Sequence, residues 1–157
     1  VLARKAPGGE GWELVHPRCA LDRSEDVEEV HKMVEAGEID IARDELQWLL
    51  SGCTDMIDAH KTLGELALLD HDLPLARGHF GYAYQIGAKA LDRAGATTGV
   101  PYRLAANQAF FEAGKGLAYC LRELSKTEMA AEVVERLLAC DPSDPLGVRT
   151  LLEPKRD

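Results

Sequence analysis

Residues 70–84 read DHDLPLARGHFGYAY, and residues 36–50 read AGEIDIARDELQWLL. Laid over each other at an offset of 34 residues, they place Ala42 on Ala76, Arg43 on Arg77 and Leu46 on Phe80. A third copy, LSKTEMAAEVVERLL over residues 124–138, puts Ala130 on Ala76, Val134 on Phe80 and Leu137 on Ala83. The second step is 54 residues, so a unit of 34 carries an insertion of 20. Such a period is the signature of one supersecondary unit used repeatedly, each copy burying the face its neighbour exposes. From about Ser24 onward the apolar spacing is helical, with no alternation that supports strands.

The aligned positions make physical sense as helix crossings. Small residues at Gly64, Ala76 and Ala118 let antiparallel helices approach closely, and Phe80 or Leu46 fills the wedge between one hairpin and the next. The segment ACDPSDPL, residues 139–146, closes the last copy. Asp141-Pro142 stops a helix, because proline cannot extend it and restricts the residue before it. Ser143 or Asp144 is placed to cap a following helix, PLGVRTLL, with Pro145 at its first position and Pro154 at its end.

The insertion falls between two long helical stretches. LPLARGHFGYAYQIGAKALDRAG keeps apolar or small residues at 76, 80, 83, 87, 91 and 94 before a stop at Gly95. PYRLAANQAFFEAGKGLAYCLREL, opening a helix at Pro101, keeps 104, 108, 111, 114, 118 and 121 on one stripe, with only Gln108 polar. This predicts two helices each longer by about ten residues, joined by ATTGV and projecting beyond the rest of the stack. Glycines at 78, 81, 87, 114 and 116 each cost up to about 1 kcal/mol of helix propensity. Close backbone packing is the expected compensation.

In these positions the chain resembles the tetratricopeptide-repeat (TPR) family, with about three repeats and an insertion between the second and third. The best copy reads Leu63, Gly64, Ala67, Ala76, Phe80, Ala83, and the third reads Leu117, Ala118, Leu121, Ala130, Val134, Leu137, Pro142. The first copy departs from the pattern at Glu29 and Val30 but keeps Gly37, Ala42 and Leu46. The resemblance spans Ser24 to Pro145. It implies an all-α fold, a right-handed superhelical stack of TPR-like hairpins with a C-terminal capping helix. Residues 1–22 are then an N-terminal extended arm and 146–157 the capping helix and tail. The repeat domain occupies 23–145, with repeats at about 23–56, 57–90 and 111–144 and an extended helical hairpin at about 88–112.

The resemblance also implies a function, since the first helices of such repeats line a concave groove that receives a peptide. Carried over position by position, the groove residues are Val27, Glu28 and His31; then Asp58, Lys61, Thr62, Glu65, Leu68 and Leu69; then Glu112, Lys115, Tyr119, Arg122 and Glu123. Lys61, Lys115, Arg122 and Tyr119 would receive a partner's carboxylates over an apolar floor of Leu68 and Leu69. The variant that grips a C-terminal carboxylate is disfavoured, because Val27, His31, Thr62 and Gly116 stand where it needs Lys, Asn, Asn and Arg. The expected role is a non-enzymatic scaffold for a partner protein or peptide, without cofactor.

Composition narrows the partners. Of 157 residues 46% are apolar and 29% charged, enough to bury a core. The 27 acidic residues exceed the 18 basic ones by nine, which disfavours phosphate backbones and anionic membranes. Ten carboxylates between Asp22 and Glu45, against Arg23, Lys32 and Arg43, mark a place where a basic segment could dock, although a solvated outer face is the plainer reading.

Cys19, Cys53, Cys120 and Cys140 form neither a CxxC pair nor a small secreted scaffold, so free thiols in a reducing cytoplasm are expected. VLARKAPGGEGW lacks the apolar core of an export signal, and Val at position 1 fits a piece of a longer or processed chain. In the arm, APGGEG should be flexible, and WELVHP could lie extended with Trp12 and Leu14 against a neighbour, although a tail pinned by one aromatic is the favoured reading.

Two alternatives come from other classes. One is a metal- or small-ligand-binding domain, in which the arm folds back so that His16, Cys19, Cys53 and His60 meet, although their spacing matches no zinc pattern. The other is a homodimer through the projecting hairpin, if Tyr82, Tyr84, Tyr102, Phe110 and Phe111 exceed what the repeats can bury. Catalysis has no motif to rest on: GxSxG, HExxH and phosphate loops are absent from the sequence.

Overall fold

The computed structural model describes residues 1–154, so residues 155–157 of the expected tail lie outside the described residues. The chain is mostly helical, as expected. An antiparallel pair of strands, β1 (Leu2–Lys5) and β2 (Trp12–Val15), is followed by a short helix α1 (Arg18–Asp22). Six longer helices follow: α2 (Ser24–Glu35), α3 (Ile39–Gly52), α4 (Ile57–Leu69), α5 (Leu73–Ala94), α6 (Ala105–Glu123) and α7 (Thr127–Cys140). A 3-10 helix spans Val148–Leu152.

The longer helices form the hairpins α2–α3, α4–α5 and α6–α7, and their turns repeat one backbone pattern. Each turn has a residue with positive φ: Gly37 at 81°, His71 at 56° and Ser125 at 62°. The following N–H reaches five residues back, Glu38 to Met33, Asp72 to Ala67 and Lys126 to Leu121. The positive-φ residue itself bonds three back, to Val34, Leu68 and Arg122. This double bond pattern satisfies carbonyls that a helix end leaves orphaned. It costs little at Gly37 and more at His71 and Ser125, whose side chains disfavour that region.

The aligned small residues occupy matching places. Ala42, Ala76 and Ala130 are each the fourth residue of their helix, and all are buried. Leu46, Phe80 and Val134 are each the eighth and are also buried. Phe80 shows how the wedge works. A Cβ built on Gly64 would stand 2.7 Å from its ring, and one built on Gly116 would stand 2.6 Å away. Both glycines therefore exist to admit the ring between α4 and α6. Gly87 likewise admits Phe110, and Gly114 admits Leu137. At Gly78 and Gly81 the expected close packing is absent: nothing lies within 4 Å of a Cβ on Gly78, and only Leu117 at 3.7 Å faces Gly81.

The insertion does lengthen α5 and α6, to 22 and 19 residues, against 14 for α3 and α7. The gain is smaller than predicted because residues 95–104 form a longer connection, and α6 begins at Ala105 rather than Pro101. Gly95 ends α5 in the left-handed conformation, as its sequence position implies. The aromatic surplus does not stay at the surface. Tyr84, Phe110 and Phe111 are buried and Tyr102 is half-buried against the core, leaving Tyr82 half-exposed.

The arm is a folded element. β1 and β2 pair in the register Leu2–Val15 to Lys5–Trp12 and lie on α5 and α6. Leu14 enters the core and Trp12 packs against it half-buried, so the arm is held by more than the one aromatic of the favoured reading. The anchor is Asn107, which is 0% exposed. Its carbonyl accepts from Leu14 N at 2.9 Å, and its amide donates to Trp12 O at 3.0 Å and Pro101 O at 2.9 Å. The Trp12 N–H donates to Gly99 O at 2.8 Å, tying the arm to the same connection. Asn107→Leu should cost about 2–3 kcal/mol, because it strands the buried Leu14 N–H and two part-buried carbonyls. Urea denaturation measures the loss, and a neutral result would mean water replaces the amide.

At the other end, Asp141 stops α7 and also fixes the connection. Its carboxylate accepts from Tyr102 N at 2.8 Å, from Ser143 N at 3.1 Å and from Ser143 Oγ at 2.6 Å. Burial pushes its acidity the other way, yet these bonds hold it below the ordinary carboxylate range. Asp144 accepts from Val148 N and Arg149 N, so it caps the final turn, while Ser143 serves Asp141. That turn is a 3-10 helix starting at Val148, and it packs on α7 and α6.

The four thiols are not all free, contrary to expectation. Cys19 and Cys53 are joined in a disulfide, and only Cys120 and Cys140 are free and buried. Burial pushes both remaining thiols up to about 11. The inference from four free thiols to a reducing compartment therefore fails at the first pair.

Candidate functional site

Helices α4 and α6 touch directly although α5 separates them in sequence, whereas α2 stands further from α4. A groove of about 820 Å³ opens between α2 and the starts of α4 and α6, with α1 along one side. Its floor is apolar: Val27 from α2, Ile57 from α4, and Ala105, Ala106 and Ala109 from α6. Ala20 and Leu21 of α1 supply the side wall, and the disulfide ties α1 to the end of α3. His16 donates from Nε2 to Ala106 O at 2.8 Å and seats the chain where it enters α1.

A charged cluster borders this groove. His31 of α2 donates from Nε2 to Asp58 Oδ1 of α4 at 3.0 Å, bridging the two helices. The Asp58 hydrogen bond raises the His31 pKa above its ordinary value despite burial. Burial opposes ionisation of Asp58, but the His31 bond and the Lys61 charge outweigh it and hold the carboxyl low. Thr62 donates its hydroxyl to Asp58 O at 2.9 Å, with Asp58 Oδ1 also in reach at 3.2 Å.

Lys61 is the centre of the cluster and is only 6% exposed. Its Nζ lies 2.8 Å from Glu65 and 3.7 Å from both Asp58 and Glu112. Burial would lower its pKa, but the three carboxylates outweigh burial and raise it, so the ammonium persists. Burial raises Glu112 above the carboxylate range, opposed by Lys61 and reinforced by Glu65 and Asp58. The consequence for recognition is direct: the buried ammonium already stands among three carboxylates of the same chain.

Of the predicted groove residues, His31, Lys61, Thr62 and Glu65 are brought together, with Asp58 and Glu112. Lys61 is consumed internally and does not stand open to a partner's carboxylate. Leu68 turns to the core, so it is no part of the floor, and Leu69 is 60% exposed at the end of α4. Lys115 and Tyr119 are exposed on α6, one and two turns beyond Glu112. Arg122, half-buried, donates from Nη2 to Pro154 O at 3.1 Å. Sequence reasoning missed the floor alanines. Their only signal was the small-residue spacing 105, 106, 109, which a core reading absorbs equally well.

The alternative metal set is not assembled. That reading required the arm to fold back on the first two hairpins, but its strands lie on α5 and α6, Cys19 and Cys53 are bonded to each other, and His60 donates to Thr54 O at 2.7 Å. Among the described residues no three candidate ligands stand together. None of the described helices is long and apolar enough to cross a membrane. No protein-family model matches the chain, and comparison with curated proteins finds no relative.

Proposed function

We propose that the protein is a non-enzymatic interaction module of the tetratricopeptide kind, whose three hairpins stack in a superhelix and hold a segment of a partner protein. The observation that carries this reading is the apolar groove between the first helices of the hairpins, floored by alanines that leave room for another chain's side chains. The three matching turns and the equivalent places of Ala42, Ala76 and Ala130 support the repeat architecture. A standing groove also needs no folding on binding, which favours affinity from a small contact area.

Selection of displayed peptides against the full chain tests the reading. Enriched peptides should lose at least about tenfold in affinity on Ala109→Trp, since Ala109 is only partly buried and the indole would occupy the groove. Circular dichroism should show that the variant keeps the native helical fold, since the indole can extend into the groove and away from the core. Enriched peptides that bind Ala109→Trp unchanged would overturn the groove as the site.

A further inference from the structure

We infer that the groove takes a cationic, amphipathic segment of a partner protein, with two Lys or Arg side chains reaching Glu28 and Glu35 and small aliphatic side chains between them. The inference rests on the groove reading and adds the chemistry of the occupant.

The charges around the groove are unbalanced. Glu28, Glu35 and Asp58 line the groove with Lys32, His16 and His31, and the Lys61, Glu65 and Glu112 cluster stands beside it. Lys61 is spent within the cluster, and Lys32 pairs with Glu29 at 3.2 Å. Among the described residues no basic group pairs with Glu28 or Glu35, and both carboxylates are exposed on the groove side of α2. An anionic segment would meet that excess with no free ammonium in compensation. A cationic one gains from it, and the chain's net charge of −9 adds long-range attraction. Like-signed nucleic acid is disfavoured by the same field.

Spacing sets the geometry. Glu28 and Glu35 are two helical turns apart, about 10 Å along α2 at 1.5 Å per residue. Basic side chains seven positions apart on a helix match this span and share one face. In the same groove Val27, Ala105 and Ala109 offer apolar surface suited to Ala, Val or Leu.

Three synthetic helical peptides test this against the full chain by fluorescence anisotropy at low salt. They share an Ala/Leu face and carry Lys, Gln or Glu at two positions seven apart. The Lys peptide should bind at least about tenfold more tightly than the Gln peptide, and the Glu peptide more weakly still. Glu28→Lys with Glu35→Lys should invert that order, whereas Glu128→Lys with Glu135→Lys on exposed positions of α7 should not change it. Circular dichroism verifies that each variant folds. Equal binding of the Lys and Gln peptides, abolished by Ala109→Trp, would overturn the cationic inference and leave the groove reading standing. Lys-peptide binding that survives the Glu28/Glu35 reversal, or falls equally with the α7 reversal, would reduce it to diffuse charge and also overturn it. Failure of all three peptides, with no enrichment in the selection, would overturn both readings.

Discussion

Phe80→Ala is expected to lower the unfolding free energy by about 4 kcal/mol, within the usual range for deleting a buried ring. Phe80 is 2% exposed and stands between glycines on two other helices. Neither Gly64 nor Gly116 has a side chain that could move into the space, so the cavity would remain largely open. In a chain of this size the melting temperature should fall by about 8–16 °C. Urea denaturation should give the same loss with an unchanged slope, since the surface exposed on unfolding is nearly the same. Tyr82→Ala, two residues along α5 at a side chain 50% exposed, serves as the comparison and should cost under about 1 kcal/mol. A Phe80→Ala loss as small as that would show that the wedge is closed by other groups and that the α4–α5–α6 crossing is not built on this ring.

The helices were readable because their constraint is local and repeats. Ala42, Ala76 and Ala130 mark the same turn of three helices, and each hairpin turn uses the same bonds, so one pattern is written three times. The folded arm was only half readable. Extended WELV could be proposed from its residues, but its stability comes from Asn107, whose partners lie 93 and 95 positions away. An asparagine among helix-forming residues gives no hint of such partners.

The charge cluster shows a different limit. Helical spacing gives Lys61 its neighbours Asp58 and Glu65 on α4 but not Glu112 on α6, and together the three carboxylates make it an internal counter-ion where a receptor was expected. The disulfide left no comparable trace: Cys19 stands in α1 ahead of the first hairpin and Cys53 at the end of α3, and only the folding back of α1 brings them together.

Reduction of the Cys19–Cys53 bridge should lower stability by about 3–4 kcal/mol, the chain-entropy value for a loop of this length. The bridge spans 34 positions. Most of the effect belongs to the unfolded chain. The folded state has little to lose, because α1 contributes no buried residue and the segments on both sides are held independently, β2 by Asn107 and α2 by its packing on α3. Added phosphine should therefore lower the melting temperature by about 10 °C without changing the far-ultraviolet circular dichroism of the native protein. The urea slope should rise, since an unbridged unfolded chain exposes more surface. Cys19→Ser with Cys53→Ser should reproduce the reduced protein and make it indifferent to reductant. Cys120 and Cys140 are buried thiols in both forms and should remain unmodified by alkylating reagents until the chain unfolds. A reductant effect that persists in the double variant would place the redox-sensitive bond elsewhere. Melting curves that coincide with and without reductant would mean that the unfolded chain is already compact in this region, leaving the bridge little entropy to remove.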